Sequence, residues 1–159
     1  MAARKRGNIM PNVMFVCHGN ICRSPMGEYI FKHMVRERGL EDVIGVASSA
    51  ISDEERGNPV YPPAQRKLER MGIDAPPRRA RRITKADYAE YDLILCMENY
   101  HVEAVKRICG GDPEGKVMRL LDITARPGAI ADPWYTDDFD TAYDQIWYGC
   151  EAIFDRLGF

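Results

Sequence analysis

Apolar and polar residues alternate along this chain in two patterns. Four short runs are almost continuously apolar: residues 12–16 (Asn-Val-Met-Phe-Val), 43–48, 92–97 (Asp-Leu-Ile-Leu-Cys-Met) and 116–121. Runs this short and unbroken predict strands buried on both faces. Between them lie amphipathic segments. The spacing predicts a helix over 25–38, with Met26, Ile30, Phe31, Met34 and Val35 on one side and Gly39 past its end. A helix over 62–71 is opened by Pro62-Pro63 and stopped at Gly72. A short helix over 84–91 has Thr84 and Asp87 at capping-box spacing, and one over 99–109 ends at Gly110-Gly111. The last helix, 138–157, has the clearest stripe: Tyr143, Ile146, Trp147, Cys150, Ile153, Phe154 and Leu157. Strands alternating with helices predict an α/β sandwich around a parallel sheet. Right-handed crossovers then put every strand's C-terminal end on one edge, where such sheets bind ligands.

Bulk properties narrow the class. At 159 residues the chain suits one domain over 11–159, preceded by a basic, disordered arm over 1–10. A net charge of −2 argues against general nucleic-acid binding. No apolar stretch approaches membrane-spanning length, and the basic N-terminus lacks the apolar region of a signal peptide. Five cysteines, an odd number without a dense framework, point to a reducing compartment and so to the cytoplasm.

The first strand runs into Cys17-His18-Gly19-Asn20-Ile21-Cys22-Arg23-Ser24-Pro25. A thiol, a guanidinium and several backbone N–H groups therefore surround one small volume. A helix N-terminus and inward loop amides favour an anion, and Arg23 can hold two oxygens at once. The same positive field favours the thiolate of Cys17, the reactive form. Gly19 and Asn20 suit left-handed backbone, Ser24 an N-cap, and Pro25 the first helical position. Cys17, His18 and Cys22 lie close enough to raise zinc, but paired Cys-x-x-Cys spacing is missing, so no metal and no cofactor is expected.

Residues Val16 to Met26 resemble the signature of the low-molecular-weight protein tyrosine phosphatases, and Asp132-Pro133-Trp134-Tyr135 resembles that family's acid loop. The resemblance covers nearly the whole chain. It implies a single-domain, three-layer α/β sandwich of the phosphatase I type, its four-stranded sheet ordered 2-1-3-4. It also implies hydrolysis of phosphotyrosine proteins and small aryl phosphates through a cysteinyl-phosphate. Cys17 would be the nucleophile, Arg23 the phosphate clamp and Asp132 the acid and then base. Asp137 and Asp138 compete with Asp132 but read as helix-start charges. His18, Gly19, Asn20, Ile21, Cys22 and Ser24 would bind phosphate or support the loop, with Ser24 donating to the Cys17 thiolate. Trp134 and Tyr135 would wall the pocket opposite Ile21 and His18. Phosphate would be product and inhibitor, and the protein a monomer or at most a weak dimer.

Several positions stay open. Cys22 is either a small buried apolar group or a disulfide partner that protects Cys17 from overoxidation. Many relatives brace the loop asparagine with a histidine after the second helix; the matching stretch here is Arg78-Arg79-Ala80-Arg81, with Ser49 a loose match behind the loop. The basic run over 78–82 reads as a solvated loop, and His33 and His101 as surface or core residues. Two other functions fit the loop: an arsenate reductase using Cys96 or Cys109 as a relay, and a phosphotyrosine-binding module without turnover.

Overall fold

Alternate residues of the first strand face two separate cores. In the computed structural model, which describes residues 11–159, that strand is β1 (Asn12–Cys17). Val13 and Phe15 pack with Met26, Ile30, Phe31, Leu68, Ile146 and Phe154. Met14 and Val16 pack with Ile94, Cys96, Tyr88, Val102 and Val105 on the other face. This is the two-residue period of a strand covered on both sides. The order along the chain is β1, α1 (Arg23–Glu37), β2 (Gly45–Ala50), α2 (Pro62–Arg70), α3 (Lys85–Glu90), β3 (Leu93–Cys96), α4 (Asn99–Cys109), β4 (Val117–Arg119), α5 (Pro133–Thr136) and α6 (Phe139–Leu157). The sheet has four strands, ordered β2-β1-β3-β4, and every pair is parallel. Helices α1, α2 and α6 cover one face, α3 and α4 the other. The layers and strand order are those expected. Among the described residues no helix is long and apolar enough to cross a membrane. The arm expected over 1–10 lies outside the described residues.

Two glycines set how closely the layers approach. A Cβ on Gly149 of α6 would lie 2.5 Å from Leu120 Cγ, and one on Gly27 of α1 would lie 2.7 Å from the Phe15 ring. Leu120 belongs to a 3₁₀ turn (Leu120–Ile123) that follows β4, where the sequence had suggested continuing strand to 121. There Leu120 and Leu121 turn under α6 instead of extending the sheet.

Other boundaries shift for physical reasons. β2 begins at Gly45 rather than 43, because Gly45 pairs with Asn12 while Val43 N–H bonds to the Leu40 carbonyl in the turn after α1. α1 begins at Arg23, with Cys22 at its N-cap. Ser24 is therefore inside the first turn rather than its cap, and Pro25 occupies the third helical position, where its missing N–H is still harmless. The chain over 133–136, expected as loop, closes a short helix. The Thr84–Asp87 capping box forms as the spacing indicates.

Candidate active site

β1 delivers Cys17 to the sheet edge, and residues 18–22 curl back so that α1 aims its N-terminus at the thiol. Cys17 Sγ lies 3.1 Å from Ser24 Oγ and accepts from the N–H groups of Asn20 at 3.3 Å and Ser24 at 3.4 Å. Ser24 Oγ also sits 3.3 Å from the Ser49 carbonyl. Its one proton can therefore face the carbonyl when Cys17 is a thiol and turn to sulfur when it is a thiolate.

Asn20 holds the curl. Its φ of 61° is left-handed, a strained choice for a residue with a side chain. Its amide donates to Ser24 Oγ at 2.8 Å and Ser48 Oγ at 2.9 Å. Arg78 donates to both its carbonyl, at 3.0 Å, and its Oδ1, which also accepts the Arg81 N–H at 3.1 Å. The brace on Asn20 is thus an arginine. Glu28 neutralises it from behind, 3.5 Å from Arg78 Nε, and also accepts from Ser48 and Lys32. Ser48, not Ser49, offers its side chain to the loop; Ser49 offers only its carbonyl.

Arg23 is 1% exposed. One terminal nitrogen donates to Glu98 Oε2 at 2.5 Å and the Ile130 carbonyl at 2.7 Å; the other lies 3.4 Å from Asp132 Oδ2. Burial pulls this guanidinium toward neutrality, but Cys17, Asp132 and Glu98 outweigh burial and hold it charged, above its ordinary value. Its Nε has no partner among the described residues. Asp132 caps α5, its Oδ1 accepting the Trp134 N–H at 3.0 Å, so the helix fixes the carboxyl that meets Arg23. Asp138 caps α6 and Asp137 takes a left-handed turn; neither lines the cavity.

A cavity of about 150 Å³ opens over the thiol, lined by Cys17, His18, Gly19, Ile21, Cys22, Arg23, Glu54, Glu55, Asp132, Trp134 and Tyr135. Every residue predicted for the site touches this space except Asn20 and Ser24, which lie behind the loop as its supports. Trp134 is both wall and anchor, since its ring sits 4.5 Å from that of Tyr61. His18 Nε2 reaches Glu54 at 3.0 Å. Glu54, Glu55, Glu98 and Ser48 were not anticipated. Glu98 had a signal: it follows β3 on the edge that carries Cys17.

Cys22 is buried beside Cys17, and burial, with the negative charge of Cys17 and Asp132, pushes its thiol well up. Cys96 lies fully buried in the sheet, where burial likewise raises it, and Cys109 is buried in the same core. All five cysteines are unpaired. The basic run is a surface loop as expected at Arg79 and Arg82, which are exposed while Arg79 donates to the Gly57 carbonyl and Arg82 lies 3.8 Å from Asp53; Arg81 pairs with Asp87, and Arg78 departs from the expectation by bracing Asn20. His101 is a core residue and His33 sits half-buried near Trp147.

A loop that turns backbone N–H groups onto Cys17, on the edge of a β2-β1-β3-β4 parallel sheet, defines the class as an α/β sandwich with a cysteine-centred loop. The family model for low molecular weight phosphotyrosine protein phosphatase matches residues 12–158. The chain belongs to that family and is, by membership, a phosphoric monoester hydrolase. It is 34% identical to the low molecular weight protein-tyrosine-phosphatase YfkJ of Bacillus subtilis over 146 residues, covering 91% of this chain and 94% of that one. The crystal structure of YfkJ superposes with a TM-score of 0.89, covering 93% of this chain and 94% of that one. The human low molecular weight phosphotyrosine protein phosphatase is 35% identical over 150 residues, covering 91% of this chain and 94% of its own. Vibrio vulnificus Wzb, solved in complex with benzylphosphonate, is 29% identical with a TM-score of 0.80, covering 93% and 99%.

Proposed function

We propose that this protein hydrolyses phosphotyrosine and small aryl phosphates by two-step phosphoryl transfer through Cys17. The observation that carries the reading is the convergence of Cys17, Arg23 and Asp132 on one cavity. The phosphate sits over the loop amides with two oxygens on Arg23. The thiolate attacks phosphorus, the bond to the phenolic oxygen breaks, and Asp132 donates the proton that oxygen needs. Asp132, now a carboxylate, takes a proton from water as the water attacks the cysteinyl-phosphate. Inorganic phosphate leaves, and Ser24 receives the returning thiolate with its hydroxyl proton. Glu98 keeps Arg23 oriented throughout. Ile21 and the Trp134 and Tyr135 rings suit a flat leaving group, in keeping with the benzyl group held by Wzb. Phosphate competes as a product inhibitor, and the protein works as a monomer in the cytoplasm, without metal or cofactor.

Cys22 serves as the redox partner. Peroxide converts the Cys17 thiolate to a sulfenic acid; the Cys22 sulfur attacks it, closing a disulfide and releasing water. Against the arsenate reductase reading, Cys96 is 0% exposed and burial keeps it a thiol. Hydrolysis of an aryl phosphate by wild type, Cys17→Ser and Asp132→Ala tests the mechanism. Cys17→Ser is expected to be inactive, and Asp132→Ala to lose about 10²–10⁴-fold in kcat. Full activity in Cys17→Ser would sink the mechanism, and near-normal turnover in Asp132→Ala would reassign the acid. Thiol-dependent arsenate reduction without phosphatase activity would replace the reading altogether.

A further inference from the structure

The cavity is built for an anion, yet one wall carries two carboxylates. The floor holds Arg23, buried and fixed by Glu98 and Asp132, with its Nε still unpartnered among the described residues. The phosphate must therefore go down onto the loop. Glu54 and Glu55 line the same cavity as Trp134 and Tyr135. Neither is paired with a lysine or arginine among the described residues. The nearby guanidiniums are engaged elsewhere, Arg56 and Arg82 both lying against Asp53.

Glu55 is held in place: its Cγ lies 3.0 Å from where a Cβ on Gly19 would be, and its Oε1 accepts from Asn58 at 2.8 Å. Glu54 stands further out, its side chain 67% exposed, and touches His18 through one oxygen only. Tyr135, in the same lining, is 84% exposed. A carboxylate pair next to an anion site opposes the substrate's own phosphate. The opposition disappears if the substrate carries a cation at that level. The tyrosyl ring of a bound phosphotyrosine spans the gap between floor and rim, so the rim meets the residues flanking it.

We propose that Glu54 and Glu55 are specificity residues that select phosphotyrosine substrates with a lysine or arginine beside the phosphorylated residue. The two carboxylates attract the flanking cation, and the exposed Tyr135 ring gives it an aromatic face. This inference rests on the phosphotyrosine reading above.

The test uses three phosphotyrosine peptides that differ only in having lysine, alanine or glutamate on both sides. In wild type, kcat/KM is expected to follow lysine over alanine over glutamate, spanning about 5- to 20-fold at low salt and shrinking at high salt. In the Glu54→Gln, Glu55→Gln double variant the same ratio falls to about 2 or less, whatever its absolute rate. Should the double variant fold poorly, Glu54→Gln alone, at the exposed position, is expected to lose part of the ratio. A flat ratio in wild type, a preference for glutamate, or a lysine preference that survives both substitutions overturns the proposal. Binding of the same peptides to Cys17→Ser separates the two claims. Binding with lysine preferred but no hydrolysis by wild type retracts the hydrolase reading and keeps this one. Hydrolysis of all three at equal efficiency does the reverse.

Discussion

Acidification should weaken this fold through His101. The ring is 0% exposed at the start of α4. Glu98 N–H donates to its Nδ1 at 3.1 Å, which puts the ring proton on Nε2, and that nitrogen has no partner among the described residues. A second proton would have to enter at Nδ1, break the cap and sit among groups that repel it. Burial, followed by the charges of Arg23 and His18, lowers His101 from 6.5 to about 3. The unfolded chain therefore takes up this proton near pH 6.5 and the folded chain does not. The stabilisation is complete above about 6.5 and is lost as pH falls from there toward 3. Between pH 7 and pH 5 the loss from this one group works out at about 2 kcal/mol. Urea unfolding of wild type and His101→Asn at both pH values isolates it, because asparagine keeps an acceptor for Glu98 N–H but cannot be protonated. Wild type is expected to lose about 2 kcal/mol more than the variant on going to pH 5. Parallel losses, within about 0.5 kcal/mol, would refute the assignment of a buried neutral imidazole here.

Three further outcomes follow from the packing around the loop and between the layers. Arg78→Met removes two charge-assisted bonds to Asn20 and leaves Glu28 short of a partner, so stability should fall by about 2–4 kcal/mol. Its kcat should drop more than its KM rises, since the loop geometry is what the brace protects; unchanged kcat would show that Asn20 holds itself. Cys22→Ser should be inactivated irreversibly by peroxide, while peroxide-treated wild type recovers with a thiol reductant; two free thiols by mass spectrometry in inactivated wild type would exclude the disulfide. Gly149→Ala forces a Cβ to within 2.5 Å of Leu120 Cγ and should cost about 1–3 kcal/mol in thermal or chemical unfolding, with wild-type stability counting against the close approach.

The parts of the molecule legible in the sequence are those whose signal is contiguous. β1 and β3 are buried on both faces, so unbroken apolar runs announced them. The ends of β2 and β4 depend instead on a neighbour: Gly45 belongs to the sheet because Asn12 lies opposite, and Leu120 leaves it because α6 waits with a glycine. The site divides the same way. Residues 17–24 carry their chemistry in one stretch, and a family signature made it readable. Glu54 and Glu55 come from the loop after β2, where no local periodicity marks a carboxylate as part of a cavity, and Glu98 is marked only by its place just after β3.

The arginine run shows how a charge pattern can be right for most of a loop and miss one member. Read as sequence, residues 78–82 look like a patch open to solvent. In the fold Arg79 and Arg82 do stay exposed, Arg81 pairs with Asp87, and Arg78 alone ends inside the network under Asn20. An arginine can stand there because Glu28 lies behind it and Lys32 balances Glu28 in turn. A guanidinium stays charged across the whole working range of pH. The left-handed turn at Asn20 is thus held by a guanidinium that is itself neutralised by Glu28 from behind the loop.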